Sequence, residues 1–262
     1  MSENENAAAM ISGQNRDIPL IVHGRRIARS SQNSYIPVKL CAEWFVALVA
    51  LILLLPLLTL LAILVKMTSH GPIIYRQTRL GYRGRVFNIY KFRTMVKNAE
   101  SVTGPVWAAK QDSRITPLGL ILRQSHLDEL PQLLNILKLD MSLVGPRPER
   151  PEIAGRITRQ LPDFPRRLDV RPGVTGLAQV MLPADDPQDT NFEGVRRKLD
   201  FDLLYAKNVH LLVDLRIYIS TACKMAAGLL EFVRHWLTKP YGAVLENNRA
   251  AAEEPIPYEQ AV

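Results

Sequence analysis

The run WFVALVALILLLPLLTLLAILV, residues 44–65, carries no charge and lies between Glu43 and Lys66. About 20 apolar residues in succession let a helix cross the roughly 30 Å hydrocarbon layer of a bilayer. A secretory signal fits poorly, because the run is longer than an ordinary signal core, starts late and is followed by no small-residue cleavage site. A helix buried in a soluble core is the plainer alternative. Pro56 falls in the middle of the run, where it removes a backbone hydrogen bond and bends a helix. Basic residues flank both ends: Arg25, Arg26, Arg29 and Lys39 before, Lys66, Arg76, Arg79, Arg83 and Arg85 after. The positive-inside rule puts both flanks on the cytoplasmic face. A helix that enters, breaks at Pro56 and returns satisfies both observations. A tilted single span with a tolerated proline is the other reading, and on these residues alone both stay open.

Outward from this run, residues 1–34 are polar and without pattern and are read as a flexible N-terminal arm. Residues 35–70 form the membrane unit, 71–240 the principal domain, and the Ala/Glu/Pro-rich 241–262 a disordered tail. Within the domain, Ile73-Ile74-Tyr75 and Val86-Phe87-Asn88-Ile89-Tyr90 are predicted strands around a Gly81–Gly84 turn. Residues 95–100 are predicted to open a helix that Thr103-Gly104-Pro105 breaks. Further helices are predicted over 117–123 and over Asp128 to Lys138, with Pro131 in the latter's first turn. Helical spacing returns from Val195 to about Trp236, on a face that either packs on the core or lies in the membrane interface. The fold class is therefore α+β and mostly helical.

Among 262 residues, Lys+Arg exceed Asp+Glu by 33 − 25 = 8. Such a balance suits phosphate-bearing partners: nucleotides, nucleic acid or an anionic membrane. Cys41 and Cys223 are the only cysteines, which leaves no disulfide framework and no zinc spacing and fits a reducing, cytosol-facing location. Neither a phosphate-binding P-loop nor a Gly-x-Gly-x-x-Gly fingerprint is present. Aromatic residues are not interleaved with the basic clusters as in single-strand nucleic-acid binders, so no nucleic-acid partner is expected.

Asp128 and Glu129 are adjacent acids in an apolar neighbourhood, Leu127 to Leu134. With Asp128 as a helix cap, its carboxylate would lie beside free N–H groups, where phosphate also binds. Carboxylates beside phosphate call for a counter-ion, and Mg²⁺ takes oxygen ligands from both. One acid could then attack phosphorus while the other helps hold the metal. On these two residues alone, a cap with a solvated neighbour is the simpler reading. Arg147 stands between Pro146 and Pro148, on a stiff backbone, and a guanidinium can grip phosphate with two parallel hydrogen bonds. Lys91 and Arg93 would share one side of a strand, with Phe92 packing on the other. Arg123 precedes the acid pair by less than two helical turns. Each of these cations alone reads equally well as a solvated basic residue, and together they suit a phosphate-binding funnel.

Several long motifs stand in a fixed order. Gly71-Pro72 leads to Gln77-Thr78-Arg79-Leu80-Gly81, followed by Lys91-Phe92-Arg93-Thr94-Met95. Next come Leu127-Asp128-Glu129-Leu130-Pro131-Gln132-Leu133-Leu134-Asn135 and Asp140-Met141-Ser142-Leu143-Val144-Gly145-Pro146-Arg147-Pro148, and Arg171-Pro172-Gly173-Val174-Thr175-Gly176-Leu177-Ala178-Gln179 closes the set. Over residues 36–240 the chain closely resembles the bacterial sugar transferases, the monotopic polyprenyl-phosphate phosphoglycosyl transferases.

The resemblance implies a re-entrant helix hairpin broken at Pro56, with a small cytosolic catalytic domain and interfacial amphipathic helices, on the bacterial inner membrane. It implies a Mg²⁺-dependent reaction in two steps. Asp128 would attack the β-phosphate of a UDP-sugar, expel UMP and hold the phosphosugar, which undecaprenyl phosphate then takes. Glu129 matches the second acid of the family's dyad, with both acids placed at the metal, and Arg147 its phosphate loop. Lys91, Arg93, Arg123 and Arg171 carry over as substrate-phosphate contacts. The product would open exopolysaccharide, capsule, O-antigen or glycoconjugate synthesis, and a homo-oligomer is compatible with all of this. The chain departs from the family in Leu55 before Pro56, where serine is common, and in Ser125-His126 before the acids. A membrane-tethered adaptor with a dead transferase site is the alternative of a different class, and the intact acid pair and Pro-Arg-Pro loop argue against it.

Overall fold

In the computed structural model the residues described are 34–96, 99, 112–182 and 192–238, with side chains of the last helix described to residue 228 and at 230. The arm before residue 34, the tail after 240 and the expected break at Thr103-Gly104-Pro105 lie outside them.

The apolar run folds as two helices, α1 (Tyr35–Leu53) and α2 (Leu55–Thr68), which meet at Leu54 (φ −88°, ψ 0°). Pro56 sits in the first turn of α2, where its missing N–H costs no helix bond. Of the two, α1 is long and apolar enough to cross a membrane by length and composition. Large apolar side chains around the break are open: Ile52, Leu53, Leu55 and Leu60 are each more than half exposed. Both outer ends, in contrast, pack against the rest of the chain. Ala47 of α1 is buried with Ile89, Ile136 and Met141, while Leu61 and Val65 of α2 are buried with Phe92 and Leu122.

Polar residues fasten the outer half of α1 as well. Lys39 Nζ lies 2.7 Å from Asp214 Oδ2 and 3.0 Å from Glu43 Oε1, and donates to Tyr205 Oη and the Val144 carbonyl. Glu43 accepts from Ser142 Oγ, Tyr218 Oη and the Leu143 amide. Asp214 accepts from Tyr35 and Tyr205, both at 2.8 Å. All three charged groups are buried, and each is compensated by charge and hydrogen bonds, as burial of charge requires.

Among the described residues the domain is mostly helical, with four short strands. β1 (Ile74–Leu80) and β2 (Val86–Phe92) form an antiparallel hairpin, in register from Ile74 opposite Phe92 to Leu80 opposite Val86. Both strands run two or more residues beyond their expected ends. Helix α3 (Pro117–Gln124) starts with Pro117 at its first position and with Thr116 Oγ1 accepting from the Gly119 amide. A 3₁₀ helix (Leu127–Gln132), α4 (Leu133–Leu137) and β3 (Ser142–Val144) follow. After α5 (Pro151–Gln160) and a second 3₁₀ turn (Phe164–Asp169), β4 (Gly173–Thr175) pairs parallel to β3. The chain continues through α6 (Leu177–Met181), α7 (Phe192–Lys207) and α8 (Leu211–Thr238).

Three expectations are corrected. The helix expected over 128–138 is split: Pro131 cannot donate, and the segment from Leu127 to Gln132 closes tighter i→i+3 bonds before α4 begins. Met95 does not open a helix but bridges Ile115 in antiparallel fashion. The expected helical stretch from Val195 to Trp236 breaks at Asn208–His210, where Val209 turns into the cluster of Val144, Tyr205 and Ile217.

Candidate functional site

The acid pair is reached through a corner. Helix α3 ends at Gln124, and His126 takes a left-handed conformation (φ 57°) that turns the chain into the 3₁₀ helix bearing Asp128 and Glu129. Among residues with a side chain, asparagine, aspartate and histidine hold that conformation most readily, so histidine suits this sharp corner beside the acids. The residue capping this helix is His126, and Asp128 lies in its first turn, which corrects the expectation that Asp128 is the cap.

Asn135 registers this corner on the hairpin. Its side chain, fully buried, accepts from the Tyr90 amide (3.1 Å) and donates to the Asn88 carbonyl (2.8 Å), completing the free edge of β2. With β2 and the acid-bearing helix clamped together, Lys91 Nζ meets Glu129 Oε1 at 2.6 Å. From the other side Arg147 Nη2 reaches the same oxygen at 2.6 Å.

Arg147 is placed by backbone crowding. A Cβ added to Gly145 would lie 2.2 Å from the Arg171 carbonyl, and one on Gly173 2.1 Å from the Gly145 amide, so the two proline-glycine loops nest as only glycines permit. The Gly173 amide donates to the Pro146 carbonyl and the Gly145 amide to the Thr175 carbonyl. Arg79 donates to the Pro148 carbonyl, and Arg167 Nη2 to the carbonyl of Arg147 itself at 2.8 Å. Arg167 is in turn paired with Asp202 at 2.6 Å, both side chains buried. The loop is rigid while the Arg147 side chain stays 47% exposed, open to a ligand.

The two acids differ in their surroundings. Glu129 is held by Lys91 and Arg147, and despite its burial those cations keep its carboxyl far below the ordinary range. Asp128 is 6% exposed, and among the described residues its carboxylate accepts no hydrogen bond. Burial pushes its carboxyl above the ordinary value, with Lys91, Arg123 and Arg147 opposing and Glu129 reinforcing the shift. The Lys91 ammonium is shifted down by burial, against the pull of Glu129. Arg123 joins the site from α3, steered by a 2.9 Å bond from its Nε to Thr94 Oγ1.

The expected cations thus divide. Lys91, Arg123 and Arg147 gather around Asp128 and Glu129. Arg93 turns the other way: buried, it donates through Nη2 to Ser69 O and Oγ at the end of α2, both at 2.6 Å. Arg171 donates to the Leu139 carbonyl and lies over the Tyr82 ring, without contact to the acids. Sequence reading missed Arg167 and Asp202, and also the Lys39–Glu43–Asp214 cluster. Lys39 and Glu43 were visible only as flanks of the apolar run, and charged residues four apart on one helix were the available signal.

As to metal, no group of three or more His, Cys, Asp or Glu side chains converges among the described residues. The donor set is two neighbouring carboxylates, one with free oxygens. That fits Mg²⁺, which is commonly held by one or two carboxylates together with substrate phosphates, and does not fit a closed all-protein site.

A pair of acids ringed by three cations on a rigid frame has the charge and geometry to meet phosphate groups. The chain belongs to the bacterial sugar transferase family, whose sequence model matches residues 34–228. It is 41% identical over 167 residues to the UDP-N-acetylgalactosamine-undecaprenyl-phosphate N-acetylgalactosaminephosphotransferase of Aeromonas hydrophila, covering 63% of this chain and 38% of that protein. Over 206 residues it is 35% identical to the UDP-glucose:undecaprenyl-phosphate glucose-1-phosphate transferase of Xanthomonas campestris pv. campestris, covering 78% of this chain and 42% of that one. With the exopolysaccharide production protein PSS of Rhizobium leguminosarum bv. phaseoli it shares 39% identity over 165 residues, 61% of this chain and 80% of that protein. The chain therefore spans about two fifths of the length of the first two relatives and most of the third.

Proposed function

We propose that this chain transfers a phosphosugar from a UDP-sugar to undecaprenyl phosphate, through a covalent intermediate on Asp128, as the first membrane step in assembling an exopolysaccharide, capsule, O-antigen or other glycoconjugate. The observation that carries this reading is the asymmetry of the acid pair: Glu129 is locked between Lys91 and Arg147, while the Asp128 carboxylate has no hydrogen-bond or ion-pair partner among the described residues. A nucleophile needs free lone pairs, and its neighbour, holding two cations in place, keeps positive charge where phosphate charge must be met.

In the first step an Asp128 oxygen forms a bond to the β-phosphorus. The bond from that phosphorus to the oxygen bridging the two phosphates breaks, and UMP leaves with the electron pair. In the second step an oxygen of undecaprenyl phosphate attacks the same phosphorus and restores the Asp128 carboxylate. Arg147, Lys91 and Arg123 neutralise the phosphoryl oxygens in both steps. Asp128 and Glu129 would hold Mg²⁺ together with the substrate phosphates, and the ion would supply further charge neutralisation.

The break between α1 and α2 supports a re-entrant hairpin with both ends on the cytoplasmic face of the inner membrane. Asp128→Asn is expected to abolish UMP release from UDP-glucose and UDP-N-acetylgalactosamine in the presence of Mg²⁺ and undecaprenyl phosphate, with membrane association unchanged. Full turnover by that variant would overturn the assignment. Mass spectrometry of the wild-type protein quenched without lipid acceptor should find the phosphosugar on the peptide bearing Asp128.

A further inference from the structure

Leu139 is held in the left-handed region (φ 60°), and its side chain is 45% exposed. Neither backbone preference nor packing within the chain favours leucine there; glycine or asparagine would hold that turn without strain. Its neighbours share the anomaly. Trp44 of α1 is 39% exposed and donates its indole N–H to the Leu137 carbonyl at 3.1 Å, which fixes the turn beside the membrane unit. Leu134, one helical turn earlier, is also exposed.

Cations surround these apolar tips. Lys138 is exposed and donates to Tyr90 Oη, and Arg76 also lies over the Tyr90 ring. The Arg171 guanidinium donates to the Leu139 carbonyl and lies over Tyr82, which Arg83 flanks as well. Two acids stand among them: Asp140, its carboxyl raised by burial against the pull of Lys138 and Arg171, and Asp169, raised by burial against Arg166 and Arg83. Lys138, Arg76, Arg83 and Arg171 outnumber Asp140 and Asp169, so the patch is net positive.

We infer that the turn Leu137–Asp140, with Trp44 and Arg171, docks on anionic phospholipid headgroups at the bilayer surface: Leu139 and Trp44 enter the interface while Lys138 and Arg171 meet lipid phosphates. This rests on the reading of α1 and α2 as a membrane hairpin. Two observations name the occupant. The patch is continuous with the open apolar flank of α1, where Phe45 is 63% exposed, and Val49, Ile52 and Leu53 follow it toward the break. Trp44 directly precedes Phe45, so the patch stands where the apolar flank begins, the level at which tryptophan and basic residues anchor proteins at a membrane surface. Positive charge there complements anionic lipid. The patch gives Arg171 a role away from the acid pair and tethers α4, which follows directly on the helix carrying Asp128, to the bilayer.

The test places an environment-sensitive fluorophore on Leu139→Cys in a full-length Cys41→Ser, Cys223→Ser background. The protein is reconstituted in nanodiscs of phosphatidylcholine, with or without phosphatidylglycerol, carrying a headgroup-level quencher for the Leu139 and Gln160 probes and, in parallel discs, an acyl-chain quencher for the Ile52 probe. Parallel probes sit at Ile52→Cys near the helix break and at Gln160→Cys on α5, whose packing cluster contains no residue of α1 or α2. The expected result is quenching at Leu139, about twofold stronger in the anionic discs and lost on adding Lys138→Glu. None is expected at Gln160. Quenching at Ile52 with none at Leu139 would overturn the docking inference and leave the hairpin standing. No quenching at either would overturn both, and equal quenching in neutral and anionic discs would rule out recognition of anionic headgroups.

Discussion

A carboxylate that must attack phosphorus is useful only when ionised, and Asp128 sits where ionisation is disfavoured: burial raises its carboxyl while Lys91, Arg123 and Arg147 pull it down. The acid limb of kcat/KM for the UDP-sugar is therefore expected above the ordinary aspartate range, activity falling as pH drops through the raised value. Arg123→Leu removes one opposing cation without touching Glu129, so the limb should move to still higher pH, and an unmoved limb would show that Arg123 does not act on Asp128. The stability sign runs the other way. A group whose folded pKa is raised favours the folded state while protonated, and that contribution is lost as pH rises through the folded value. Asp128→Asn removes a buried, unpaired charge and is expected to raise the thermal midpoint at neutral pH while abolishing turnover. Much of this centre was legible in the sequence. Lys91, Asp128, Glu129 and Arg147 each stood in a distinctive local setting, and family resemblance tied those settings together. Arg93 was not, because strand alternation says which side a residue occupies and not which element covers that side. Here the end of α2 does, and Ser69 takes the guanidinium.

Among elements, the consequential joint is the one beneath the Pro-Arg-Pro loop. Sequence exposed the loop's stiffness but not its anchor, since Arg167 and Asp202 belong to a short turn and to α7 with no local pattern to link them to Arg147. Only the packing of α7 on that turn brings Asp202 to Arg167, and Arg167 to the Arg147 carbonyl. Asp202→Asn leaves a buried guanidinium with a neutral partner and loosens the carbonyl it holds. The expected result is a fall in kcat/KM of about tenfold, short of the roughly hundredfold that a 1 Å misplacement can cost. A double-mutant cycle separates positioning from plain destabilisation. In an Arg147→Lys background the loss from Asp202→Asn should shrink markedly if the pair works through the arginine fork, and should stay the same if it only stabilises the fold. The split of the expected 128–138 helix belongs to this scale too. Pro131 was correctly read as tolerable in a first turn, but the tighter winding and the left-handed His126 before it depend on how α3 meets β2, which spacing alone does not encode.

For the whole molecule, the deciding fact is that both outer ends of the apolar unit pack on one domain. From Lys39 to Val65 a single straight helix would run about 39 Å, and lying along the domain it would bury its middle as well as its ends, whereas Ile52, Leu53 and Leu55 are open. Yet Lys39 meets Asp214 and Tyr205 while Val65 packs with Phe92 and Leu122. Lys39→Met should expose the strength of the first contact: Glu43 and Asp214 remain buried without their cation, a change that costs about 3–5 kcal/mol in comparable sites, measurable as a lowered thermal midpoint in detergent. The same geometry leads to a prediction about topology. With Cys41 and Cys223 replaced by serine, single cysteines at Ser34 and Tyr75, both exposed, bracket the unit. In sealed inner-membrane vesicles of defined orientation an impermeant maleimide should reach both positions from the cytoplasmic side and neither from the other. The Lys39→Met variant provides a control, because it weakens docking of α1 without altering the break at Leu54 and should label in the same way. Labelling of Ser34 and Tyr75 from opposite sides would mean that α1 and α2 cross the bilayer, and the burial of both ends on one domain could not then persist in the membrane.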